Sequence, residues 1–242
     1  VLALCLCSDG SSRMPPESCR PLRLDALLIA VALFGLSTAT VAAVESGTVV
    51  RLETFVDRGE YERAIATADS ILESAATVLA PKLEASVLDA LVEALYRSGR
   101  AREERTDQLA LRGLRIRREL DDPSGLAATL LQYGNMHIYA GRAASAREQY
   151  EEALAVLERV PDPDPAQWGM VLNNLGVACK QLGDYSAALA FYEDGLELRE
   201  RTLGPEHLDV AGSLNNIANV DIVRGDYASA AAAHRRALGI RE

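Results

Sequence analysis

The sequence predicts an all-α chain built from about five helix hairpins, and three observations carry that prediction. Only 5% of the 242 residues are aromatic and one is Trp, while 49% are hydrophobic with Ala and Leu abundant, a composition that suits packed helices better than strands. The chain also matches itself at an offset of 42, since Leu88, Leu130, Leu172 and Leu214 coincide, as do Gly99, Gly141, Gly183 and Gly225. With glycine at about 7% of residues, three such further matches would arise by chance roughly a few times in ten thousand. Finally, each unit holds two apolar runs at helical spacing broken by glycine. In one of them Leu172, Leu175, Val177, Ala178 and Leu182 precede Gly183-Asp184, and Ala188, Phe191, Tyr192 and Leu196 follow.

Taken in order, residues 1–45 read as an export segment and 46–242 as the repeat array. Residues 26–44 carry no charge, follow Arg20 and Arg23, and precede Glu45. Two membrane readings stand. In one, translation starts at Met14, residues 14–25 are the basic region, 26–36 the apolar core of a signal peptide, and Val41-Ala42-Ala43 the small-residue cleavage site. In the other, the 19 uncharged residues form a single membrane anchor. A buried core helix is the remaining alternative. Because basic flanks stay cytoplasmic, both membrane readings place the repeats outside the cytoplasm, in a periplasmic or extracellular setting. Cys5, Cys7 and Cys19 precede the apolar stretch, so cleavage would leave Cys179 without a disulfide partner in the same chain, to be read as a small buried apolar residue.

The units are expected at about 46–80, 84–121, 126–160, 168–203 and 208–242. The first is irregular, with Gly59 standing 40 residues before Gly99 and Ala64 in the place of Ala188. The second is weak, with Val92, Glu104 and Gln108 where small and aromatic residues belong. In the last three, small residues recur where two helices must approach: Gly134, Gly176 and Ala218 in the first helix, and Ala146, Ala188 and Ala230 in the second. Tyr150, Tyr192 and His234 lie one turn further along the same face. The linkers at 121–124, 161–165 and 204–207 supply the Pro and acidic residues that stop one helix and start the next. Gly212, inside the first helix of the last unit, leads us to expect that the array continues past residue 242 in a larger protein, leaving an open C-terminal end that can self-associate.

This pattern resembles the tetratricopeptide repeat. Leu172, Leu175, Gly176, Ala188, Tyr192 and Gly195 fill its positions in the fourth unit, and Leu214, Ile217, Ala218, Ala230, His234 and Ala237 in the fifth; Cys179 and Asp221 depart from it at the first-helix Tyr position. The period of 42, "LNN", "GDY" and "LGPEHLDVA" resemble the long subtype of kinesin light chains and of bacterial multidomain proteins. The resemblance implies a right-handed α-solenoid that binds a protein or an extended peptide and carries no catalysis of its own. It further implies that first helices line a concave groove, which would put Gln132, Asn135, Asn173, Asn174, Asn215, Asn216 and Asn219 in or beside it. An amide offers donor and acceptor together and so suits a peptide backbone. The alternative is that these amides tie adjacent helices together. A carboxylate clamp is not expected, because Lys and Arg are absent there apart from Lys180 and Arg97 at the edges. Proteins with such arrays often carry a caspase-like CHAT peptidase domain or a Ser/Thr kinase, so a regulatory or sensor region of one of these is a second reading, and a self-associating spacer a third.

Little else in the sequence points to chemistry. A formal charge of -10 gives no general attraction for nucleic acid or anionic lipid, and membrane association is expected only through the N-terminal segment. His137, His207 and His234 have no metal-ligand spacing, no phosphate loop or nucleophile elbow appears, and no cofactor, metal or catalytic residue is expected. Pairs such as Glu151-Glu152 read as solvated helix faces. The seven arginines between Arg100 and Arg118, interleaved with Glu103, Glu104, Asp107 and Glu119, read as a salt-bridged outer face rather than an anion site.

Overall fold

Each glycine of the repeat sits where the chain reverses between two helices, and a positive φ explains why glycine is there: 90° at Gly99, 75° at Gly141, 81° at Gly183 and 83° at Gly225. A computed structural model describes the backbone of residues 38–74 and 79–242, with side chains from residue 47 onward except at residue 74. Ten α-helices lie among the described residues, two to a repeat. They are α1 (Thr38–Asp57) and α2 (Tyr61–Ser74); α3 (Pro81–Leu95) and α4 (Glu104–Glu119); α5 (Pro123–Tyr139) and α6 (Ala143–Leu157); α7 (Pro165–Gln181) and α8 (Tyr185–Leu203); α9 (Leu208–Arg224) and α10 (Tyr227–Arg241). Pro81, Pro123 and Pro165 open their helices at the one position where a missing N–H costs nothing. Asp122, Asp164, Asp184 and Asp226 cap helices by accepting a backbone N–H.

Residues 43–242 form one compact unit, an all-α solenoid in which each hairpin packs on the next. First helices adjoin first helices, α3 beside α5 and α5 beside α7, and the apolar core runs between them and the second helices. The apolar segment expected to direct export lies, up to residue 37, outside the described residues. No helix among the described residues is long and apolar enough to cross a membrane.

Glycine and tyrosine interlock inside each regular hairpin. A methyl group at Gly134 would overlap the Tyr150 ring, and one at Gly176 the Tyr192 ring; both rings are 1% exposed, so neither can swing away into solvent. Ala146 and Ala188, at the second-helix contact, are fully buried as the spacing requires.

The second repeat keeps this logic in another form. Its turn contains a π-helical segment, Tyr96–Arg100, and α4 starts only at Glu104. The inward residues of α4 are Thr106, Ala110, Gly113 and Arg117, which repeat the spacing of Ala146, Tyr150, Ala153 and Leu157 at an offset of 40 rather than 42. The turn therefore holds two extra residues and the following loop two fewer. Glu104 and Gln108, the misfits of a strict 42-residue alignment, are exposed and never occupied core positions. Once the register is corrected, Val92 and Ala110 stand where Gly134 and Tyr150 stand in the next repeat. The larger and smaller partners have changed sides, and both Val92 and Ala110 are buried.

Candidate functional site

The two layers of the solenoid are joined by different chemistry. Along the first helices, amides bridge one repeat to the next. Gln132 Nε2 on α5 donates to Glu93 Oε2 on α3 at 2.9 Å, and Asn174 Nδ2 on α7 donates to Asn135 Oδ1 on α5 at 2.8 Å. These are the same bond displaced by one repeat. At the next junction the accepting position is Val177, which has no acceptor, and Asn216 on α9 donates instead to Asn173 Oδ1 at 2.8 Å. Asn173 donates in turn to Asn174 at 3.0 Å, and Asn135 also accepts from the Tyr150 hydroxyl at 2.7 Å, so one run of hydrogen bonds crosses three repeats. The amide orientations follow from this network.

All seven amides expected from the sequence fall on first helices, and six of them take part in this bonding. Asn215 Oδ1 lies 3.0 Å from His234 Nδ1 within the last hairpin. Asn219 is exposed, and no protein group among the described residues bonds it. The other six are half-buried. Among the described residues no protein group bonds the Gln132 carbonyl oxygen or the Asn215 amide nitrogen, so the row retains both acceptors and donors. Tying helices together, the alternative weighed for these amides, describes both ends of Asn173 and Asn174 and one end of Gln132, Asn215 and Asn216.

Val177 also accounts for a buried orphan. The Tyr192 hydroxyl has no hydrogen-bond partner among the described residues, whereas Tyr150, its counterpart, bonds Asn135. We expect Val177→Asn to supply an acceptor for Tyr192, raising stability by about 0.5–1.5 kcal/mol in chemical denaturation. A loss of stability would contradict this assignment of the orphan.

Along the second helices the joints are ionic. Arg105 on α4 pairs with Asp69 on α2, Arg118 on α4 with Glu152 on α6 at 2.8 Å, and Arg236 on α10 with Glu200 on α8 at 2.5 Å. The arginine-rich stretch thus bridges helices rather than merely solvating one face, and one member lies inside. Arg117 is 7% exposed and bonds Asp89 at 2.8 Å, Thr129 at 3.2 Å and Ser86 at 3.0 Å. Asp89 also accepts from Thr129 at 2.9 Å and from Tyr133 at 3.2 Å. Burial pushes the Asp89 carboxyl up, while Arg117 and the two hydroxyls pull it back. Sequence spacing did not single out Arg117; the signal was present only as an arginine at the helix position that Leu157 fills one repeat later.

Cys179 is fully buried and free, as a small apolar residue would be. His137 is half-buried beside Arg142, and burial holds its imidazole below the ordinary value, with Arg142 adding to the effect. No group of three His, Cys, Asp or Glu side chains that could hold a metal ion occurs among the described residues.

A tetratricopeptide repeat model matches residues 125–201 and 169–242. No curated protein matches the sequence. Among solved structures, BtubC (BKLC) from P. vanneervenii is 27% identical with a TM-score of 0.64, over 75% of this chain and 73% of that one. The nearly identical TPR-like repeats of a Podosopora anserina putative kinesin light chain superpose with a TM-score of 0.68 at 15% identity, over 81% and 93% of the two chains. A Rap protein complexed with competence and sporulation factor gives 0.66 at 14% identity, over 80% of this chain and 52% of that one. The glycine turns, the interlocked small and aromatic residues and the motif match agree: residues 125–242 of this chain are tetratricopeptide repeats.

Proposed function

We propose that this protein is a non-catalytic interaction scaffold that binds an extended segment of a partner protein along its first helices. The amide row supports the reading. Gln132 and Asn216 are each held at one end by the preceding repeat and Asn215 by its own hairpin, so their other ends are presented at fixed positions, and preorganised donors and acceptors suit a peptide backbone better than mobile side chains would. The Rap protein, similar in fold, holds competence and sporulation factor, which supports the view that a solenoid of this kind accommodates a bound factor.

Asn219 allows a test free of structural cost, because it is exposed and bonds no other residue among those described. Among peptides selected on the immobilised chain from a random display library, one class should bind Asn219→Ala more weakly by about 0.5–1.5 kcal/mol, with an unchanged melting curve. Equal affinity for every selected peptide would remove the proposal.

A further inference from the structure

The outer layer breaks its own rule at one junction. Arg118 pairs with Glu152 between the second and third repeats, and Glu200 pairs with Arg236 between the fourth and fifth. In the corrected register these are the same two positions with the charges exchanged. At the junction between them, α6 with α8, those positions hold Glu158 and Asp194, two exposed carboxylates of like charge, and neither forms an ion pair among the described residues. The outer second-helix face therefore lacks a cation here that both adjacent junctions possess.

The same place is open. Glu158 and Asp194 border a cleft of about 370 Å³ whose walls include Leu154, Trp168, Phe191 and Leu198. All four are only half-buried, although Leu154, Trp168 and Phe191 pack against the core beneath. Glu197 adds a third carboxylate to the rim, and Arg201 is the single basic residue of the lining. An aromatic floor under a rim with surplus negative charge accepts an apolar side chain carrying a neighbouring cation, which would meet both the exposed hydrocarbon and the unpaired carboxylates. Leu172, in the cleft wall, and Asn174, in the amide row, are two residues apart on α7 and so point to well-separated sides of the helix.

We infer that the cleft between α6 and α8 is a second docking site, taking a partner segment in which a Lys or Arg stands beside an aromatic or aliphatic residue. The partner's cation would complete the ion pair that the junction lacks.

Trp168 is the only tryptophan of the chain, so its fluorescence reports occupancy directly. Random-peptide display on the full chain should enrich sequences that join a basic to an apolar residue, and those peptides should change the Trp168 emission on binding. Asp194→Arg recreates the Glu200–Arg236 arrangement within the cleft. It should reduce their affinity at least about tenfold, with melting unchanged or raised. Asn219→Ala should leave these peptides unaffected, which separates this site from the amide row. Absence of enrichment, enrichment of acidic or uncharged sequences, or affinity and emission changes indifferent to Asp194→Arg would each overturn the inference.

Discussion

Replacing Arg117 by Ala is expected to destabilise the protein by about 3–5 kcal/mol in chemical denaturation, the cost of leaving a buried charge without its partner. Asp89 would remain at the junction of α3, α4 and α5 with two hydroxyls and no cation, and water reaches it poorly, since its side chain is 16% exposed. The damage lies in the unpaired carboxylate rather than in a lost attraction. Replacing both charges, Asp89→Leu with Arg117→Met, should therefore recover most of the loss. A single-variant loss below about 1 kcal/mol would mean that the pair is effectively solvated.

The second large effect concerns the hairpin of the third repeat. Tyr150→Ala should cost about 3–5 kcal/mol, because it empties a fully packed site and removes a hydroxyl from the amide run. Gly134→Val alone should cost about 1–3 kcal/mol by forcing a side chain into the Tyr150 ring. Combined, they recreate the Val92 and Ala110 arrangement of the second repeat, and the double variant should be more stable than the two single losses added together predict. Strict additivity in the denaturation midpoints would show that the two repeats do not share one packing scheme.

These cases indicate how far sequence reached. Gly99, Gly141, Gly183 and Gly225 were legible because a left-handed turn residue is nearly always glycine, and Gly134 with Tyr150 because close packing needs a small residue opposite a large one. The second repeat was not, since an insertion of two residues in a turn shifts a helix without altering its composition. Glu104 and Gln108 looked like defects only under a fixed period. Arg117 was hidden for another reason: charged residues are usually solvated, and only the helix position reveals that this one faces inward.

At the candidate site, spacing placed the amides on first helices but could not say which atom of each would bond a neighbour. That depends on whether the next repeat offers an acceptor, as Asn135 does and Val177 does not. The cleft escaped notice because its defining feature is an absence, a like-charged pair visible only after three junctions are aligned in three dimensions. Trp168, Glu158 and Asp194 carry the signal jointly and none carries it alone.

The central claim is that the first-helix amides form the partner-binding face, and nuclear magnetic resonance of the side-chain amide groups tests it most directly. A display-selected peptide whose affinity survives Asp194→Arg should be titrated into the labelled chain while the Asn and Gln side-chain signals and the Trp168 indole are followed. The account predicts saturable shifts at Gln132, Asn215 and Asn219 with the indole signal unmoved. Saturating binding that leaves every first-helix amide in place would contradict it.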